Sequence, residues 1–308
     1  MDKRYLLALL TQGPTPWIVA GIWGAMWGSF YNVVIARVPA GESVVRPASH
    51  CRSCKAELRW FDNIPILSYL LLRGRCRRCG ARYSPRYLLV ELVVALIALA
   101  VFKVTVIDGA GAPGLRLARF AILSLFGGLL VAISMIDIDT MLIPNVITYP
   151  AIPLCAVLAI WMGLPRWYDG AIGAAAGYLT IRLLADGYRL VTGRTGMGYG
   201  DAKLLAMIGG LLGWQVLLPV LFLSSMQGSL VGIPLLIIAR RRAAASEGED
   251  EGEDKDQVED QDQDQDQDDA DVDALRYSRI PFGPYIALAG LELMLLRETI
   301  MAFFPYLR

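Results

Sequence analysis

Apolar residues along this chain come in long uninterrupted runs, not in the amphipathic stripes of a soluble helical enzyme. Eight runs stand out, at 17–35, 87–107, 117–136, 146–163, 171–191, 202–213, 216–239 and 281–304. A run of about 20 apolar residues crosses a hydrocarbon core roughly 30 Å thick. The pattern therefore predicts an all-α polytopic membrane protein with about eight transmembrane helices. Two runs are weaker than the rest. The fifth carries Arg182 and Asp186, four apart on one helical face and placed to pair. The sixth is too short to cross without tilt or local thinning of the bilayer. Before the first run, Lys3 and Arg4 precede a short apolar stretch broken by Gln12, Gly13 and Pro14, so no cleavable signal is expected and the first span is retained.

The polar intervals orient the spans. Between the first two runs, basic residues including Arg37, Arg46, Arg59, Arg73, Arg75 and Arg86 greatly outnumber Glu42, Glu57 and Asp62. The positive-inside rule places this segment in the cytoplasm. Alternate crossings then put 108–116 and 165–170 outside, with 137–145, 192–201 and the cluster Arg240, Arg241 and Arg242 inside. Lys3 and Arg4 fall outside, a minor conflict. The formal net charge of zero and the 55% hydrophobic content conceal a basic early loop offset by an acidic late one. Residues 246–273 are almost entirely Glu, Asp, Gln and Gly, too polar to offset the entropy of ordering. A disordered cytoplasmic loop acting as a solvated spacer is expected there. The resulting organisation is an N-terminal segment and first helix (1–36), a small cytoplasmic subdomain (37–86), a membrane core (87–242), the acidic loop (243–279) and a last helix (280–308).

Two C-x2-C knuckles, Cys51 with Cys54 and Cys76 with Cys79, are separated by the 21 residues 55–75, close to the spacing of a four-cysteine zinc ribbon. Flanking arginines favour thiolate over thiol. Four thiolates would fill the coordination sphere, making such a zinc structural. A disulfide pair, disfavoured in a reducing compartment, and unligated thiols are the alternatives. Cys155, alone in the fourth run, reads as a small buried hydrophobe.

Asp137 ends the third run and Asp201 opens the sixth, both on the cytoplasmic side in this topology. Carboxylates embedded in a membrane are costly and mark functional sites by default. Two that share a site cannot both ionise easily, so one holds a proton while the other acts as base on a water. Gly198 and Gly200 before Asp201 would permit unusual φ values and close approach of an extended substrate. Alternatively, Asp201 serves only as a helix N-cap, the glycines form an ordinary turn or anion site, and Asp137 and Asp139 are interfacial. Side-chain chemistry alone does not select Asp137 over Asp139. Glu91 and Glu292 read as polar interhelical contacts, and His50 as a solvated loop residue.

Taken in order, the chain resembles the type IV prepilin peptidase and N-methyltransferase family, a GxGD aspartic peptidase class. The resemblance is carried by Gly28-Ser-Phe-Tyr-Asn-Val-Val-Ile-Ala-Arg-Val-Pro39, both knuckles, Asp62-Asn-Ile-Pro-Ile-Leu-Ser68, residues 87–92, Ile136-Asp-Ile-Asp139 with Ile143-Pro-Asn145, residues 196–204, and Ile280-Pro-Phe-Gly-Pro-Tyr285. It implies Asp137 and Asp201 as the catalytic pair in a bacterial inner membrane, with the active site facing the cytoplasm. It further implies cleavage after a glycine that ends a basic leader, then methylation of the new N-terminus from S-adenosylmethionine. The substrates implied are type IV prepilins or secretion pseudopilins, with membrane lipid around the spans and no nucleic-acid partner. Gly198, Tyr199 and Gly200 are expected to shape substrate approach, and Lys203 to orient or tune the pair. The acidic segment departs from the family pattern. The rival readings are a peptidase without methyl transfer, an ion-coupled transporter using Asp137, Asp201 and Arg182, and a zinc-loop binding module anchored by the spans.

Overall fold

The computed structural model describes residues 11–164, 166–193, 198–250 and 281–307, and among them it is helical with no strand beyond two isolated bridges. In chain order the helices are α1 (Thr15–Arg37), α2 (Leu67–Leu71), α3 (Pro85–Phe102), α4 (Pro113–Thr140), α5 (Asn145–Leu158), α6 (Asp169–Thr192), α7 (Tyr199–Leu212), α8 (Leu217–Asp250), α9 (Gly283–Leu295) and α10 (Arg297–Met301). Proline at the first helical position starts α3 and α4, where its missing N–H has no intrahelical role. The Ser84 hydroxyl caps α3 by accepting from the Arg86 N–H.

Five helical stretches are long and apolar enough to cross a membrane, namely Thr15–Arg37, Pro85–Ile107, Pro113–Thr140, Asn145–Met162 and Trp214–Leu235. The protein is a multi-pass membrane protein. The other three expected runs form helices without meeting that standard. In α6, Arg182, Asp186 and Arg189 lower the apolar character, while α7 and α9 have 14 and 13 residues. At 1.5 Å per residue a helix of that length reaches only about 20 Å. The acidic segment needs a second correction. Backbone helix continues through Asp250, so 246–250 extend α8, in keeping with the helix-forming Ala243, Ala244 and Ala245 just before them. Residues 251–273 of the expected loop lie outside the described residues.

Short α7 is the centre of the bundle. Asp201–Leu212 are buried on every face, against α5, α6 and α9, and a helix apolar all round is stable only inside such a shell. Its last turn is closed by Arg297, which donates to the Leu212 carbonyl at 3.0 Å. Two helix pairs approach closely through glycines spaced four apart. A Cβ on Gly24 or Gly28 of α1 would stand 2.7 Å from the Cα of Ala95 or Glu91 on α3. One on Gly173 of α6 would stand 2.0 Å from the Gly209 carbonyl oxygen, and one on Gly177 2.8 Å from that of Leu205. Small residues at this spacing let membrane helices pack backbone to backbone. The outward faces carry Ile18, Ile22, Leu89, Leu96, Leu218 and Phe222 exposed, as suits contact with lipid.

Candidate active site and metal loop

The C-terminal end of α4 and the N-terminal ends of α5, α7 and α9 meet around two carboxylates. Asp137, in the last turn of α4, is 5% exposed, and Asp201, in the first turn of α7, is 8% exposed. They lie close enough for their charges to interact. The Asp137 carboxylate accepts from the Gly283 backbone N–H at the start of α9, where unpaired N–H groups and the helix dipole favour negative charge. A Cβ on Gly283 would stand 2.5 Å from Asp137 Oδ2, so only glycine allows this approach. Asp201 is not the N-cap of α7. That position is Gly198, and Asp201 lies three residues on, its carboxylate reaching back to the Gly198 N–H in the manner of a capping box.

The structure separates Asp137 from Asp139. Asp139 points outward and pairs with Arg86 Nη1 at 2.7 Å, while Arg86 Nη2 donates to the Met135 carbonyl at 3.0 Å. Neither Asp137 nor Asp201 forms an ion pair among the described residues. Two buried carboxylates without a cation are suited to share a proton.

The glycines before Asp201 do not use left-handed backbone. Gly198 has φ −79°, and Gly200 is absent from the positive-φ positions. Gly200 instead gives room, since its Cβ would be 3.0 Å from Cβ of Ile143. The expected pair Arg182 and Asp186 forms at 2.7 Å and also holds Tyr199. The Tyr199 hydroxyl donates to Asp186 Oδ1 at 3.1 Å, and the Arg182 guanidinium lies 4.3 Å from the ring centroid. Buried Lys203 donates to Asn145 Oδ1 and lies 4.9 Å from the Tyr149 ring centroid, which ties α7 to α5. Sequence reasoning gave no roles to Arg86, Asn145 or Gly283. For Asn145 and Gly283 the available signal was a short polar or glycine motif at a helix start.

In the loop before α3, the four sulfurs of Cys51, Cys54, Cys76 and Cys79 lie within 4.8 Å of one another. The knuckles are built alike. The Cys51 N–H donates to Ala56 and the Lys55 N–H returns to the Cys51 carbonyl, while Cys76, Ala81 and Gly80 repeat the pattern. Cys51 Sγ and Cys79 Sγ are 3.8 Å apart, far beyond a disulfide bond of about 2.05 Å. That separation matches the edge of a tetrahedron with metal–sulfur bonds of about 2.3 Å. N–H groups of Cys54 and Ser53 hold the Cys51 thiol below its ordinary value, and those of Cys79 and Arg78 bring Cys76 to about 6. Burial and the neighbouring sulfurs push Cys79 up to about 11, so the fit to a structural ion rests on the convergence of four sulfurs at tetrahedral spacing. Cys155 is buried as expected. Glu292 accepts from Gln227 at 2.8 Å across α8 and α9, and His50 is half-buried against the same loop.

Fold and site together define a multi-pass helical membrane protein with an acidic pair set into one end of its core and a four-cysteine loop beside it. Residues 22–105 match the model of the bacterial peptidase A24 N-terminal domain, and residues 124–233 that of the type IV leader peptidase family. The chain is 35% identical to a prepilin leader peptidase/N-methyltransferase of Myxococcus xanthus, over 95% of this chain and 94% of the relative. A protein of the same name from Aeromonas hydrophila is 34% identical, over 96% of each chain, and one from Pseudomonas putida is 35% identical, over 98% of this chain and 94% of the relative. The chain belongs to the type IV leader peptidase family. No solved structure matches it.

Proposed function

We propose that the protein is a bifunctional prepilin peptidase of the bacterial inner membrane. It cuts the basic leader of type IV prepilins or pseudopilins after a glycine on the cytoplasmic side and methylates the new N-terminus from S-adenosylmethionine. The observation that carries the peptidase half is the convergence of Asp137 and Asp201, buried, unpaired by any described cation and within electrostatic reach of each other. One carboxylate, as base, takes a proton from a water that attacks the scissile carbonyl, while the other, protonated, donates to the carbonyl oxygen. The Gly283 N–H holds Asp137 in place for this exchange. The basic loop 37–86 supports a cytoplasmic site, because a basic leader remains on that side while its apolar stem lies in the bilayer. In the loop, zinc held by the four cysteines would organise the 37–86 subdomain, and 87–242 would form the peptidase core.

Co-expression with a prepilin, followed by mass spectrometry of the product, tests both halves by reporting the cut position and any added methyl. Asp137→Asn and Asp201→Asn are each expected to abolish cleavage at unchanged membrane abundance. Substantial cleavage by either variant would overturn the assignment.

A further inference from the structure

Residues 60–71 of the metal loop turn their apolar side outward. The short helix α2 places Leu67, Leu70 and Leu71 on a common face, three and four positions apart, and all three are exposed. The residue turned inward is polar: Ser68 is buried, its hydroxyl donating to the Phe61 carbonyl at 2.8 Å. Ile64 beside them is also exposed, and Trp60 is 80% exposed. A loop surrounded by water would arrange these residues the other way. Depth explains the reversal. Glu91, which lines a cavity of about 630 Å³ between the loop and the ends of α1 and α3, accepts from the Ile66 N–H at 2.7 Å. It lies six residues into α3, about 9 Å along the axis, level with the outward-facing Leu89 and Leu92. The start of α2 is thus drawn down beside the apolar part of a membrane span. Ile66 takes φ 63° to reach it, a costly conformation for a β-branched residue.

Charge completes the pattern. Arg59, Arg73, Arg75 and Arg78 flank the apolar face in sequence, and all are exposed with no ion pair among the described residues. Arg77, by contrast, is taken by Asp62 at 2.8 Å. Apolar side chains with Trp among them, bordered by uncompensated cations, make up an element that lies in a membrane surface. We infer that residues 60–71 are an interfacial anchor for anionic phospholipid. Leu67, Leu70 and Leu71 enter the boundary between headgroups and acyl chains at their own end of the spans. Trp60 sits among the headgroups, and the arginines meet lipid phosphates. A second copy of the chain fits this face less well, because it would bring the same uncompensated arginines against one another. The anchor ties the metal loop to the bilayer at a point separate from its junctions with α1 and α3.

Photocrosslinking of the full chain tests the anchor, in nanodiscs holding phosphatidylcholine and phosphatidylglycerol in equal amounts. The probe p-benzoyl-phenylalanine replaces Leu67 or Leu71, one at a time. Both side chains are exposed, so neither replacement should alter thermal unfolding. After irradiation, mass spectrometry is expected to find lipid adducts at both positions. Phosphatidylglycerol should exceed phosphatidylcholine among them by about fivefold or more, the effect of a single cation near an anionic surface. Combining Arg59→Gln, Arg73→Gln and Arg75→Gln should bring the two lipids to parity while the adducts persist. Absence of lipid adducts at both positions would overturn the anchor. Crosslinks to peptides of a second copy, or to an added prepilin, in place of lipid would reveal a protein interface and overturn it equally. Parity of the two lipids without the arginine substitutions would refute the preference for anionic phospholipid.

Discussion

Asp137 and Asp139 are chemically identical side chains two positions apart, and a helix turns them to different fates. Asp137 is buried at the N-terminus of α9, while Asp139 is 39% exposed and answers Arg86. A partly exposed ion pair contributes only about 0–1 kcal/mol. Asp139→Asn is accordingly expected to keep most cleavage activity, in contrast to Asp137→Asn, when kcat/KM is measured on the same prepilin. Tyr199 is fixed by one hydrogen bond and one cation–π contact. Tyr199→Phe removes only the hydrogen bond, about 1 kcal/mol, whereas Arg182→Ala removes the stack and frees Asp186 as well. The expected order of retained kcat/KM is wild type, then Tyr199→Phe, then Arg182→Ala. Equal activity in all three would show that the orientation of Tyr199 does not matter to turnover. The Arg182–Asp186 pair was legible from its spacing of four, but its hold on Tyr199 was not, because that contact joins separate helices.

Helix contacts place the site more than helix propensity does. The α6–α7 crossing leaves no room for a methyl group at Gly173, where the obstacle is the Gly209 carbonyl of the facing backbone. Gly187 on the same helix has nothing nearby. Gly173→Ala is expected to destabilise the protein by about 1–3 kcal/mol through overpacking, while Gly187→Ala should be neutral or stabilising. Thermal unfolding in detergent followed by light scattering compares the two directly. The clash at Gly173 falls on the last turn of α7, at the opposite end of that helix from Asp201, so stability should fall more than the activity of the protein that remains folded. Hydropathy marked α7 as a weak span but did not show why it is short. It has no lipid face to cover, being enclosed by its neighbours.

Over the whole molecule, the four-cysteine loop and the carboxylate pair stand at the same end of the helices, joined through Arg86 and through the hydrogen bond from Ile66 to Glu91. Cys76→Ser is expected to remove an equimolar metal from the purified protein, measured by elemental analysis. It should make 38–84 sensitive to protease while the α4–α9 bundle stays resistant, because the loop has few apolar contacts of its own. The sequence by itself determined the membrane character, the basic and acidic intervals, the two cysteine knuckles and the acidic residues at run ends. Each of these rests on composition or spacing within one segment, which local physics reads directly. Tertiary structure alone decided that Asp137 is buried against Gly283 while Asp139 turns outward to Arg86, and that Glu91 lines a cavity. Those outcomes depend on the rotation and depth of helices far apart in the chain, which packing sets and no local pattern encodes.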